Sequence, residues 1–192
     1  MTGLFFGSFN PIHNGHLQIA RYLLDENRCK EVWFIVSPQN PFKQDAALAD
    51  AQKRLEMVQA AVAGDPRMRV SDVEFGMPRP SYTIHTLEAL ATRYPDTKFA
   101  LIMGSDNLRN FHRWRHAGDI AAAYPIFVYP RTGSDTEMAA YRTKYPNIRP
   151  IPAPLFPVSS TGIREKVRRG EDISGLVPPA ALPLIVKEYA HV

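Results

Sequence analysis

Two rhythms of apolar residues alternate along this chain. Short unbroken apolar runs mark buried strands, and residues recurring three and four positions apart mark helices. Residues 3–6 form the first run, closed by a Gly-Ser-Phe-Asn-Pro turn. Leu17, Ala20, Leu23 and Leu24 then recur at helical spacing. The run 32–36 (VWFIV) reads as a second strand, ended by Ser37-Pro38, and 53–63 as a helix with Leu55, Val58, Ala61 and Val62 facing inward. The pattern predicts a strand over 68–73, a helix over 83–93 and a buried strand over 99–103. Segment 125–129 holds another strand, 135–144 a polar surface helix, and 148–151 a short strand. Helices over 161–169, stopped at Gly170, and over 179–190 complete the series.

Unbroken apolar strands separated by helices predict a parallel sheet covered on both faces. The expected fold is α/β: a Rossmann-like, doubly wound sheet with a small C-terminal helical segment. Ligands in such folds sit beyond the carboxyl ends of the strands, so the residues after Phe6, Val36, Met103 and Tyr129 are where chemistry is sought. The 17 prolines gather in loops, most densely at 150–157, with no repeat or low-complexity linker. A single domain over 1–192 is therefore expected.

Composition narrows the class. With 45% hydrophobic and 22% charged residues, the chain reads as an ordinary soluble globular protein. No apolar run approaches the ~18 residues of a membrane span, and the apolar start is too short and uncharged for a secretory signal. The single cysteine, Cys29, cannot form an internal disulfide, which fits a reducing cytoplasm and a structural thiol. The net charge of +4 suits small phosphorylated molecules; the basic residues are too scattered for a nucleic-acid tract.

The segment Gly7-Ser8-Phe9-Asn10-Pro11-Ile12-His13-Asn14-Gly15-His16 follows the first strand and opens the first helix. Gly7 and Ser8 let the backbone come close to a ligand. His13 and His16, three apart, share one helical face beside unpaired amides, which together favour an anion. A helix cap or a zinc pair is the competing reading, although H-x-x-H alone supplies too few ligands for zinc. The glycines match neither the Walker loop nor the dinucleotide fingerprint. Near the other end, Ser159-Ser160-Thr161-Gly162-Ile163-Arg164 offers hydroxyls before a helix and a guanidinium in its first turn. Alone, that string reads more readily as a plain cap with a solvated arginine.

Together the two strings resemble the paired H-x-G-H and S-S-T-x-I-R signatures of the nucleotidyltransferase superfamily, in which ATP is attacked at its α-phosphate. Three further segments resemble the nicotinate-nucleotide adenylyltransferase family within it. These are Ser81-Tyr82-Thr83-Ile84-His85-Thr86-Leu87, the run from Gly104-Ser105-Asp106-Asn107-Leu108 through Phe111 to Trp114, and the proline-containing loop ending at Lys43. The resemblance covers almost the whole chain. It implies transfer of AMP from ATP to nicotinate mononucleotide, with release of pyrophosphate, in NAD biosynthesis.

The resemblance also assigns roles. His13, His16, Lys43 and Arg164 are implied as catalytic groups; Gly7, Ser8, Phe9, Arg131, Ser159, Ser160 and Thr161 as the ATP site. Thr83, Ile84, Gly104, Asp106, Trp114 and Arg115 are implied for the acceptor. Trp114 would stack on the pyridine ring, amides at Ile84 and Arg115 would hold its carboxylate, and Asp106 would accept ribose hydroxyls. No carboxylate cluster forms a metal cage, so Mg2+ is expected to arrive on the ATP phosphates. The loop at 38–43 is shorter than the family's usual form and lacks its histidine, and the position of Arg115 varies in the family. Tyr82, His85 and Phe42 read as packing residues. Two competing functions are a related enzyme acting on nicotinamide mononucleotide or pantetheine phosphate, and a non-enzymatic nucleotide sensor. The expected partners are two small molecules, with neither nucleic acid nor membrane; a homo-oligomer is compatible with all of this.

Overall fold

The computed structural model describes residues 1–39, 48–131 and 138–190. Six strands form one all-parallel sheet in the order β3-β2-β1-β4-β5-β6. They are β1 (Thr2–Gly7), β2 (Glu31–Val36), β3 (Met68–Ser71), β4 (Phe99–Gly104), β5 (Ile126–Tyr129) and β6 (Ile148–Pro150). Strand order reverses between β1 and β4, where Thr2 pairs with Phe99 and Phe5 with Ile102. The loops leaving these strands diverge there and open a crevice.

Alternation along the strands divides the core in two. Phe5, Phe34, Ala100, Ile102 and Phe127 face one layer, made by α1 (Asn14–Asp25), α2 (Ala51–Val62), α7 (Ser160–Arg168) and α8 (Leu182–Tyr189). Leu4, Trp33, Ile35, Leu101, Met103 and Val128 face the other layer. That layer holds α3 (Thr83–Arg93), the short α4 (Ser105–Arg109) and α5 (Ala117–Ala123). The surface helix α6 (Met138–Lys144) buries no residue. The doubly wound fold expected from the pattern is the fold observed, and the C-terminal helices join the first layer.

The differences are local. Helix α2 starts two residues before the expected 53, because the Asp50 carboxylate accepts the amides of Gln52 and Lys53 and caps it. Strand β3 stops at Ser71 instead of 73, since Val73–Gly76 tightens into a 3-10 turn that buries Glu74. Helices α4 and α5 were not anticipated; at five and seven residues they are too short to show a period. The start of the helix expected over 135–144 lies outside the described residues, as does Lys43.

Arg54 holds the crevice loops to the sheet. It is wholly buried on α2, amid the apolar positions Leu55, Met57 and Val58. Its guanidinium donates to four carbonyls: Ala49 (2.9 Å), Ser8 (2.6 Å), Ser37 (2.8 Å) and Pro38 (2.9 Å). Burial pulls its pKa down, with Tyr189 and Asp50 opposing, yet a guanidinium keeps its charge. The loops after β1 and β2 are thus pinned by one rigid fork. Arg54→Met should cost on the order of 3 kcal/mol, because interior carbonyls lose a charged donor. Urea unfolding checks this, and an unshifted midpoint would mean that the loops hold their shape without the clamp.

Candidate active site

The crevice has two compartments over the carboxyl ends of β1 and β4. The larger recess, about 930 Å³, is lined by Ser8, His13, His16, Asp106, Arg131 and Ser159–Thr161, among others. The smaller, about 610 Å³, is lined by Ser37, Glu74, Ser81, Tyr82, Thr83, Trp114 and Arg115. Phe6, Gly7 and Asn107 border both. The larger side carries the imidazoles, the hydroxyls and Arg131 beside Asp106; the smaller carries Tyr82, Trp114 and Arg115.

The two early histidines open α1. His13 is the N-cap residue, and its backbone N–H donates to Nδ1 of His16 at 3.2 Å. Because Nδ1 accepts, a neutral His16 ring carries its proton on Nε2 and offers a donor there. The imidazoles stack with centroids 3.7 Å apart. Phe9, at φ +45°, is 3% exposed and sits edge-on to His16 at 5.2 Å. Its ring is part of the core, so what it offers the recess is chiefly backbone. Gly15 lets the chain pass close to His13: a Cβ there would stand 3.1 Å from the ring. His13 is 2% exposed, and its Nδ1 is buried without a hydrogen-bond partner. Burial, and then the charge of Arg131, lower its pKa to about 3. Near neutral pH the ring is therefore uncharged.

The late string lies against the early one. Ser160 Oγ donates to the carbonyl of Pro11 at 2.9 Å, and Arg164 Nη1 to that of Asn10 at 2.7 Å. Ser159 caps α7 by accepting the amide of Gly162 at 3.1 Å. Arg164 was expected to face phosphate, but it is outside the residues that line either recess. Its guanidinium fastens α7 to the first loop and touches Thr161 Oγ1 at 3.4 Å. Asn10, to which no role was assigned, receives Ala49 N–H and the Tyr189 hydroxyl on its side-chain oxygen.

Arg131 follows β5. Its amide donates to Ser105 Oγ at 2.8 Å, and its guanidinium lies 5.6 Å from the Tyr129 ring and 4.0 Å from the Asp106 carboxylate. Asp106 borders the larger recess and not the smaller one. Gly104 makes room: a Cβ there would meet the Tyr129 ring at 3.2 Å.

In the smaller recess Trp114 leans on the fully buried Phe111, 5.4 Å between centroids. Helix α3 begins at Thr83 with Tyr82 as N-cap and no side-chain cap bond. First-turn amides have no intrahelical acceptor, so those of Thr83 and Ile84 suit an anion. The Ile84 side chain packs into the core, which leaves its amide as its contribution. Glu74, 2% exposed, fixes this segment by accepting the hydroxyls of Ser81 (2.6 Å) and Thr86 (2.8 Å). Tyr82, read as packing, borders the recess under the Arg115 guanidinium. His85 is exposed, 5.8 Å from the Tyr82 ring, while Phe42 lies outside the described residues.

Sequence reasoning missed Arg54, Glu74 and Asn10. A charged residue on the apolar stripe of α2 was a usable signal for Arg54; nothing local marked the other two. Among the described residues, no group of three or more His, Cys, Asp or Glu could hold a metal ion. No described helix is long and apolar enough to cross a membrane.

Comparison with known proteins gives a consistent answer. The cytidylyltransferase-like family model matches residues 4–166. A Bacteroides fragilis protein named "Probable nicotinate-nucleotide adenylyltransferase" is 47% identical over 97% of this chain and 92% of its own length. A Cytophaga hutchinsonii protein of the same name is 43% identical over 98% of both chains. The fold matches that of the Plasmodium falciparum nicotinic acid mononucleotide adenylyltransferase complexed with NaAD. The TM-score is 0.80 at 18% identity, over 97% of this chain and 94% of that one. The chain belongs to the nicotinate-nucleotide adenylyltransferases, within the cytidylyltransferase-like family.

Proposed function

We propose that this enzyme transfers AMP from ATP to nicotinate mononucleotide, forming nicotinate adenine dinucleotide and pyrophosphate for NAD synthesis. The observation that carries this reading is the two-part crevice: one recess lined by hydroxyls, the stacked imidazoles and Arg131, the other by Tyr82, Trp114 and Arg115, joined at Phe6, Gly7 and Asn107. The arrangement suits two nucleotides whose phosphates meet in the middle. A phosphate oxygen of the acceptor attacks the α-phosphorus of ATP, and the bond to the β-phosphate oxygen breaks. No covalent enzyme intermediate is needed, so the protein's task is positioning and charge stabilisation.

The larger recess takes the triphosphate. His16 donates from Nε2, Arg131 supplies fixed positive charge, and Ser159 and Thr161 add hydroxyls. Uncharged His13 acts as a hydrogen-bond donor rather than a counter-charge. Arg164 positions: its bond to Asn10 O keeps the loop of the histidines against α7. Lys43 is retained as a further phosphate ligand on the strength of the family resemblance. The described residues do not form a resident metal cage. Magnesium belongs with the substrate, as MgATP. The smaller recess takes the pyridine nucleotide, with Trp114 against the ring and the α3 amides at Thr83 and Ile84 on its carboxylate; Asp106 accepts from ribose. The buried free thiol of Cys29 accords with a cytoplasmic setting. Both partners are small molecules.

Three expected outcomes test this reading. Pyrophosphate release should be fast with nicotinate mononucleotide and slower by at least about tenfold with nicotinamide mononucleotide or pantetheine phosphate. A preference for pantetheine phosphate would move the enzyme to another branch of the superfamily. His16→Ala should lower kcat by about two to three powers of ten with an unchanged circular dichroism spectrum; near-normal turnover would remove His16 from the mechanism. The third outcome concerns pH. The folded pKa of His13, about 3, lies below the ordinary 6.5. Between these values the unfolded chain binds the proton and the native one does not. His13 thus subtracts stability progressively as pH falls from 6.5 toward 3. In His13→Gln the difference between stability at pH 7 and at pH 5 should shrink. An equal difference in both proteins would show that His13 is not held neutral by the fold.

A further inference from the structure

The aromatic recess contains two side chains of opposite charge, Glu74 and Arg115. They are placed very differently. Glu74 is buried at 2% exposure, and each of its oxygens already accepts a hydroxyl, one from Ser81 and one from Thr86. Those two bonds tie it to the wall of the recess. Arg115 is exposed, and its guanidinium carbon lies 5.1 Å from the centre of the Tyr82 ring. That ring borders the same recess. A cation held over an aromatic face loses little of its hydrogen-bonding edge, so the N–H groups of the fork stay available.

A carboxylate and a carboxamide have nearly the same shape and differ in what they need. The carboxylate needs donors and positive charge; the amide also brings two N–H groups that need acceptors. Helix α3 contributes unpaired amides and the positive end of its dipole at the same wall. Amides alone favour an anion but also serve an amide's carbonyl. A guanidinium distinguishes the two much more sharply.

We infer that the Arg115 guanidinium, seated on the Tyr82 ring, makes this pocket select pyridine mononucleotides bearing a carboxylate over those bearing a carboxamide. The inference rests on the adenylyltransferase reading and deepens it: the preference is assigned to the side chain of Arg115, in addition to its backbone. Arg115 is a specificity residue, and Tyr82 positions it.

The test measures kcat/KM for nicotinate and nicotinamide mononucleotides in the full-length wild type, Arg115→Gln, Arg115→Lys and Tyr82→Leu. In Arg115→Gln the acid-over-amide ratio should fall about tenfold or more, the loss expected of one charged hydrogen bond. The fall should come through KM for the acid, with KM for ATP as the internal control. Arg115→Lys should restore part of the ratio, because the charge returns without the fork. Tyr82→Leu should lower the ratio too, and adding it to Arg115→Gln should lower it little further. The wild-type KM for the acid should rise with salt, more steeply than in Arg115→Gln. An unaltered ratio in Arg115→Gln, with the wild type turning over the acid, overturns the assignment of Arg115 and leaves the adenylyltransferase reading intact. Wild-type turnover of neither mononucleotide overturns the underlying reading, and this inference with it.

Discussion

Ser160 and Arg164 reach back 149 and 154 positions to donate to the carbonyls of Pro11 and Asn10. Those carbonyls belong to a tight loop with no ladder partner, and interior carbonyls must find donors. Here the donors come from the first turn of α7. The same bonds that satisfy the loop therefore bring the hydroxyls of Ser159 and Thr161 to the recess that holds the histidines. On the far side, Asn14 donates its amide to Leu176 O and its side chain to Gly175 O, which closes the C-terminal segment over the start of α1. Arg54 completes the arrangement from below with four bonds to backbone carbonyls. The crevice is thus a hydrogen-bonded frame before any ligand enters.

Charge in the frame is placed sparingly. Arg54 is buried against backbone carbonyls, Arg131 shares its surroundings with Asp106, and His13 is uncharged. A crevice filled with unscreened cations would repel itself before substrate arrived. An uncharged His13 and hydroxyls avoid that cost and can still donate hydrogen bonds. Such donors, fixed before the reaction, need no reorganisation as charge builds in the transition state.

The acceptor side is built on packing. Phe111 is fully buried and supports Trp114, while Glu74 ties the turn after β3 to the segment that starts α3. Two short elements that add little to the core thereby set the shape of the pocket. Short helices such as α4 depend on their neighbours for stability, and their placement is owed to β4 and β5 beneath them.

The fold class was legible in the amino-acid order, as were the two strings that the fold brings together at the crevice. Apolar runs and helical periods read correctly because burial imposes them locally, residue by residue, and the histidine string and the late hydroxyl string stood out by residue type and spacing. What no stretch could reveal was the pairing of Asn10 with Tyr189, the closing of Glu74 on Ser81 and Thr86, the turning of Arg164 toward a carbonyl, or the seat of Arg115 on Tyr82. Each depends on where distant backbone arrives in space. The sequence by itself determined which residues could bind phosphate and ring. Only the tertiary structure decided which of them face the crevice and which hold it open, because a polar side chain takes whichever unsatisfied partner the fold brings within reach.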